Sequence, residues 1–335
     1  MPFFSILIPS YNAANIITET LESLRAQTFK DWECLVVDDA STDDTCAVVE
    51  SFGDARVRLI PHAKNVGYAA NLKRAFEYAT GTCLFLLGND DILSPICLDR
   101  TKAAFDISPT IAVVIRPYYM WDTDPGVPIR YTPVFDKERD VVMSPDDGLH
   151  TWKMIYSAVA QLSSLSIKRE LLCGQVTPYC FTAHVEPVLA SFLQHQGVFL
   201  KDYLLAARKN HSQSRTESAI YEISPLWSWV DLFERVLAGN RWKRERQLGV
   251  DFVARNVQGL VQIRCRSSLR IFFREVWLHV KYRPLNLLAW RFWLFSIGCL
   301  VMPPKMLRRF TDRFTPLVCR PRNRQVSFAD MGASE

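Results

Sequence analysis

The 335 residues lack the patterns that would mark a metal-finger, redox or secreted protein. The nine cysteines form no CxxC pair, and none of the six histidines stands at a zinc-ligand spacing from them. That leaves scattered, reduced thiols, the usage expected in a reducing cytosolic compartment. The first residues run directly into Phe3-Phe4-Ser5-Ile6-Leu7-Ile8-Pro9, with no basic segment and too short an apolar stretch for a signal peptide, so secretion is not expected. Internal repeats and low-complexity tracts are absent. With 49% hydrophobic and 22% charged residues, the composition is that of a folded chain.

Charge is unevenly placed. From Arg241 onward there are 19 Lys and Arg against 6 Asp and Glu, which leaves 21 against 29 in the part before it. The last third alternates Arg264, Arg266, Arg270, Arg274, Lys281 and Arg283 with aromatic and aliphatic residues. An apolar run from Leu285 to Met302 follows, interrupted by Asn286 and Arg291 and closed by Pro303-Pro304. At about 1.5 Å per residue a helix of this length reaches roughly 27 Å, short for a hydrocarbon core of roughly 30 Å. Trp277, Trp290 and Trp293 between cationic flanks suit a helix lying in a membrane interface better than one crossing it. A helix buried against the rest of the protein is the plain alternative. Nucleic acid is not the expected partner, because no recognition motif accompanies the basic residues.

From residue 3 to about 116, short apolar runs alternate with helical patterns, the signature of βαβ units and a mostly parallel α/β sheet. Strands are expected at Phe3–Pro9, Trp32–Asp38, Val57–Pro61, Cys83–Leu87 and Ile111–Arg116. Trp121 to Gly148 reads as a long loop or hairpin lid, Leu149–Val159 as a helix, Leu162–Ile167 as a strand and Glu186–Gln196 as a helix. The domain reading is 1–116 as one α/β half, 117–220 as the second half of that domain, 221–325 as a helical basic region and 326–335 as a tail.

Ligands of such sheets sit beyond the carboxyl ends of the strands. Three polar clusters fall there: Pro9-Ser10-Tyr11-Asn12, Asp38-Asp39-Ala40-Ser41 and Gly88-Asn89-Asp90-Asp91. Adjacent carboxylates at a strand end repel unless a cation or a set of donors compensates. Oxygen-only ligands favour Mg²⁺ or Mn²⁺ bound together with substrate phosphates. Asp91 is the first choice of ligand, with Asp90 toward a sugar or ribose hydroxyl; a helix N-cap is the structural alternative. Tyr11 can stack on a base and a carboxylate at Asp39 can accept from one, although an ordinary β-turn-α cap explains the second cluster equally. Lys64 and Lys73 are candidates to meet phosphate.

The order and spacing of Pro9-Ser10-Tyr11-Asn12, Gln27-Thr28-Phe29-Lys30-Asp31-Trp32-Glu33, Val37-Asp38-Asp39-Ala40-Ser41-Thr42-Asp43-Asp44-Thr45, Asn65-Val66-Gly67 and Asn89-Asp90-Asp91 resemble family 2 glycosyltransferases of the GT-A fold. The resemblance covers Ser5 to Asp99 and departs at Gly88-Asn89, where many members carry Asp-Ser or Asp-Ala. It implies transfer of a sugar from a nucleoside diphosphate donor with inversion. By that resemblance Pro9 and Tyr11 border the nucleoside, Asp39 reads the base, Asp90 faces the ribose or donor sugar, and Asp91 holds Mn²⁺ or Mg²⁺. The family's catalytic base begins a helix about a dozen residues before a glycine; counting back from Gly197 gives Glu186, with His184 its rival. Arg208-Lys209-Asn210-His211 resembles a further family segment, in which His211 approaches the metal or diphosphate. The basic C-terminal region then suggests a saccharide acceptor linked to polyprenyl diphosphate, met by a protein peripheral to the inner face of the cell membrane. A sugar nucleotidylyltransferase is a poorer fit, because the turn after the first strand has no glycine. A non-catalytic scaffold of the same fold is the remaining alternative.

Overall fold

The computed structural model describes residues 1–122, 124–179, 181–209, 219–307 and 309. They form two compact units that divide near residue 210.

The first unit opens with β1 (Phe4–Ser10), α1 (Ile17–Arg25), β2 (Trp32–Asp38), α2 (Thr45–Ser51), β3 (Val57–Pro61), α3 (Tyr68–Tyr78) and β4 (Cys83–Leu86). It continues through β5 (Ile92–Leu93), α4 (Cys97–Asp106), β6 (Ile111–Ile115), β7 (Tyr118–Trp121), β8 (Arg130–Tyr131), β9 (Val141–Met143) and α5 (Leu149–Ala158). It ends with β10 (Leu165–Lys168), α6 (Val185–Gln194), β11 (Gln196–Phe199) and β12 (Leu205–Arg208). Eight strands make the main sheet in the order β3-β2-β1-β4-β10-β6-β11-β9, and four make a second sheet, β5-β12-β7-β8. In the main sheet β10 runs antiparallel to both β4 and β6, and β9 antiparallel to β11; the other neighbours are parallel. Hence β1, β2, β3, β4, β6 and β11 all point their carboxyl ends to one edge, and β10 begins there.

The expected strands of the first third appear within a residue of their anticipated ends. Their apolar runs are continuous because both faces are covered: Ile6, Leu7, Ile8, Leu35, Val36 and Phe85 are fully buried. The segment expected as a lid, Trp121 to Gly148, contains β8 and β9 and starts at the last residue of β7, and the anticipated strand from Leu162 begins with a 3₁₀ turn, Leu162–Ser164, before β10.

Several motif residues act as fasteners. The buried Gln27 amide donates to the carbonyls of Ser23 and Ser94, while its oxygen accepts from Leu98 N–H at 3.0 Å. Thr28 N–H bonds to Pro95 O at 2.9 Å, and Phe29 meets Phe3 and Phe4 edge-on. Glu33 accepts from Ser5 Oγ and Thr80, which pins β2 and β1 to the turn before β4.

The second unit is helical: α7 (Pro225–Val236), α8 (Lys243–Ala254), α9 (Gly259–Arg266), α10 (Leu269–Tyr282) and α11 (Trp290–Val301), with a 3₁₀ turn at Pro284–Leu288. Ser224 and Ser268 cap α7 and α10 by accepting from Trp227 N–H and Ile271 N–H. Leu226, Val230, Ala254 and Leu278 form a small core. The apolar run from Leu285 is therefore not one helix. Asn286 is 2% exposed and donates to the carbonyls of Ala254 and His279, holding the turn, and Ala289 is extended (φ −90°, ψ 114°). Arg291 consequently stands in the first turn of α11 and not mid-helix. Among the described residues no helix is long and apolar enough to cross a membrane.

At Gly81 the backbone of β1 comes so close that an added Cβ would lie 2.5 Å from Ser5 N and 2.8 Å from Phe4 C. Gly81→Ala is expected to lower the unfolding free energy by about 1–3 kcal/mol, as overpacking does. Urea unfolding checks this; an unchanged midpoint would show that the strand yields at no cost.

Candidate active site

The three polar clusters meet at the carboxyl edge of the main sheet. The turns after β1 and β2 are cross-braced: Asn12 N–H donates to Ser41 Oγ at 2.8 Å, and Thr42 N–H to Asn12 Oδ1 at 2.8 Å. Asn12 and Ala40 both take positive φ, 49° and 57°, a conformation disfavoured for residues with a Cβ. Asp38 binds Ser41 through its N–H and hydroxyl, so this carboxylate serves the turn.

Asp39 is 3% exposed and accepts from Val66 N–H at 2.7 Å and Gly67 N–H at 2.9 Å. It thereby fixes the Asn65-Val66-Gly67 turn, where Gly67 has φ 84°, and the start of α3. Each carboxylate oxygen keeps a further acceptor site. Pro9 is buried within β1, and Tyr11 is half-buried beyond its end. Lys64 and Lys73 are exposed.

Beyond β4 the two adjacent carboxylates differ. Asp91 is 1% exposed, and both of its oxygens are engaged: Oδ1 by Arg208 N–H at 2.9 Å, Oδ2 by Gln161 Nε2 at 2.6 Å and Ser163 Oγ at 2.5 Å. Burial pushes its carboxyl up from the ordinary range, while the bonds from Ser163, Arg208 N–H and Gln161 and the Arg208 charge pull it down. Asp90 is half-buried. Gly88 lies between them: a Cβ there would come 3.0 Å from Asp91 Oδ2 and 3.1 Å from Asp90 Oδ1. The absent side chain leaves both carboxylates facing one point. Asn89 ties the loop to β1 through Ser10 Oγ at 3.3 Å.

Sequence reasoning missed the donors that hold this loop. Arg208 also donates through Nε to Asp90 O at 3.2 Å, pairs with Glu19 and lies 3.9 Å over the Trp121 ring. Its signal was present, since it opens the segment in which only His211 was assigned a role. His211 lies outside the described residues. Arg116, also missed, is fully buried, with Nη1 donating to Ser163 O at 2.7 Å and Nη2 to Ser166 Oγ at 2.5 Å; burial lowers its guanidinium to about 10.

The first turn of α6 reaches the same edge, because that helix leads into β11, parallel to β6. His184, just before α6, is 5% exposed, and its Nδ1 sits 3.1 Å from Tyr68 Oη at the start of α3. Glu186 is half-buried in that turn. His184 and the turn held by Asp39 are thus joined through Tyr68, with Glu186 two residues beyond His184.

Among the described residues no three His, Cys, Asp or Glu side chains are placed to hold a metal ion. A hard divalent cation that takes one or two carboxylates and completes its shell with substrate phosphates and water still fits the pair at Gly88.

A mostly parallel α/β sheet with acidic turns at its carboxyl edge and an antiparallel strand set into its centre defines a domain of the GT-A type. Residues 5–156 match the family model described as "Glycosyl transferase family 2". The UDP-Glc:alpha-D-GlcNAc-diphosphoundecaprenol beta-1,3-glucosyltransferase WfgD of Escherichia coli is 40% identical over 88 residues, 26% of this chain and 35% of that protein. The chain thus spans about a third of the length of that relative. The structure of Staphylococcus aureus TarS 1–349 in complex with UDP-GlcNAc superposes with TM-score 0.61 at 17% identity, over 97% of this chain and 95% of that one. The mannosyltransferase PcManGT of Pyrobaculum calidifontis, in complex with GDP-Man and Mn2+, gives TM-score 0.51 at 15% identity, over 90% and 86%. These likenesses establish the fold.

The His184 imidazole is pushed down to about 4 by burial, with the Val159 and Ala160 carbonyls opposing the shift. An unfolded chain protonates this group near 6.5, so between about pH 6.5 and 4 the unfolded state holds the extra proton and stability falls as pH falls. Urea titrations at pH 7 and 4.5 should show the wild type losing up to about 3 kcal/mol more than His184→Gln on acidification. Equal losses would mean that His184 titrates normally.

Proposed function

We propose that the protein is an inverting glycosyltransferase that moves a sugar from a nucleoside diphosphate donor to a hydroxyl of a saccharide acceptor. The observation that carries this is the carboxylate pair at Asp90 and Asp91 beyond β4, Asp90 half-buried and Asp91 enclosed by three donors. In this reading Tyr11 and Pro9 border the base, and Asp39, already bonded to the Val66 and Gly67 amides, accepts from the base through its spare lone pairs.

The division of labour at the acidic pair supports a change from the sequence-based assignment. Asp91 has three protein donors, so its role is to set the loop, and Asp90 is the residue that would hold Mn²⁺ or Mg²⁺. Such a cation would supply Lewis-acid neutralisation of charge on the departing diphosphate. His211 remains a proposed second contact.

Glu186 is the proposed base. It lies half-buried in the first turn of α6. It would take the acceptor hydroxyl proton as that oxygen attacks the anomeric carbon opposite the leaving group. His184 suits this role less, being enclosed and bonded at Nδ1. For the acceptor we propose a saccharide linked to polyprenyl diphosphate, in polysaccharide or O-antigen assembly at the inner face of the cell membrane. The diphosphoundecaprenol substrate named for the Escherichia coli relative and the basic C-terminal unit support that choice.

Release of nucleoside diphosphate from UDP- and GDP-sugars with Mn²⁺ tests the reaction; pyrophosphate instead would identify nucleotidyl transfer, and no release would leave a scaffold. Asp90→Asn should raise the Mn²⁺ requirement sharply with little change in melting temperature, whereas Asp91→Asn should mainly destabilise, by about 1–3 kcal/mol. The reverse pattern returns the ligand role to Asp91. Glu186→Gln should lower kcat by about 10²–10⁴ with donor binding retained; near wild-type kcat would remove it as the base.

A further inference from the structure

The helical unit exposes an apolar face of unusual extent. On α11, Phe292, Ser296 and Cys299 are buried, and Arg264 Nε bonds to Cys299 O at 3.1 Å, fixing that side toward α9. The opposite side presents Trp290, Trp293, Leu294, Ile297, Leu300 and Val301, each between 41% and 76% exposed. The turn before it adds Leu285 and Leu288 at 60% and 84%, and Trp293 Nε1 ties helix to turn by bonding Leu287 O at 2.8 Å. On α10, Phe273 and Trp277 are more than half exposed. Scattered surface apolar residues are ordinary, but a contiguous helical stripe marks a binding surface.

Its charge identifies the partner. Between residues 269 and 309 there are eight Lys and Arg and one acidic residue, Glu275, which is 1% exposed. Arg270, Lys281, Arg291, Lys305 and Arg309 are all exposed. Two of these cations sit beside indoles, Lys281 Nζ 5.2 Å from Trp277 and Arg291 Cζ 5.5 Å from Trp290. A second copy of this face would set cation against cation. Anionic headgroups over hydrocarbon match both features, cations and tryptophans at the phosphate level and aliphatic side chains just beneath.

We propose that α11 and the turn before it lie flat on a bilayer surface containing anionic lipid, with the Trp290 to Val301 stripe inserted to the headgroup boundary. Twelve residues extend about 18 Å, against a hydrocarbon thickness of roughly 30 Å, so the helix rests in the interface. This deepens the proposed function by assigning a surface to the bilayer where the acceptor would be met, and its test does not require sugar transfer.

The full chain is sedimented with vesicles of phosphatidylcholine alone or mixed with phosphatidylglycerol. Binding is expected with the mixed vesicles, with a blue shift of tryptophan emission. Each cation removed in Arg291→Gln and Lys305→Gln should weaken it roughly fivefold. Leu294→Glu with Ile297→Glu should weaken it at least about tenfold. Both sets alter exposed side chains, and circular dichroism and donor turnover should match wild type. Equal partition of the Glu variant, or no binding to mixed vesicles, overturns the proposal. So does a wild-type dimer that becomes monomeric in that variant. Loss of donor turnover with vesicle binding intact would count against the transferase reading alone.

Discussion

A carboxylate closed off from water has to be met by donors, and at Asp91 those donors come from two distant parts of the chain. Gln161 and Ser163 precede β10, Arg208 ends β12, and Asp91 itself follows β4. Removing one donor would leave a buried charge partly unmet, which is far costlier than the bond's net contribution. The arrangement joins the two sheets at the carboxyl edge and fixes the backbone of the neighbouring Asp90, whose carbonyl also receives Arg208. Two chemically identical side chains thus meet different surroundings, Asp91 enclosed at 1% exposure and Asp90 half-buried beside it.

A second set of bonds carries order across the same edge. Asp39 shapes the turn at Gly67, that turn starts α3, and Tyr68 at its first position reaches His184 beside α6. Glu186 lies two residues further on. The left-handed backbone at Asn12 and Ala40 belongs to this framework, since the braces between Asn12, Ser41 and Thr42 hold both in a conformation that neither would favour alone. The proposed chemistry therefore stands on turns whose geometry is set by backbone donors.

Much of the fold was legible because β1, β2, β3, β4 and β6 are buried apolar runs ended by polar turns, the pattern a covered parallel sheet imposes. β5, β7, β8, β9 and β12 were not, being two to four residues long with no periodicity to read. The insertion of β10 between β4 and β6 depends on pairing, which a linear pattern does not carry. The site followed the same rule. Asp39, Asp90 and Asp91 were singled out from their places after strands and Glu186 from the family resemblance, whereas the different surroundings of Asp90 and Asp91 rest on partners 70 to 117 residues away. In the C-terminal region, composition suggested one long helix, and the buried bonds of Asn286 divide it.

The antiparallel strand at the sheet's centre also bears on how much chain is needed to make this domain. The family match ends at residue 156, yet β10 occupies residues 165–168 and separates two strands made earlier. A fragment cut at that boundary would retain the acidic motifs but leave a gap where β4 and β6 each present an open hydrophobic edge, the condition that invites aggregation. During synthesis those edges must wait for some eighty residues after β4 before the filler strand emerges. The matched segment is thus shorter than the sheet to which its strands belong.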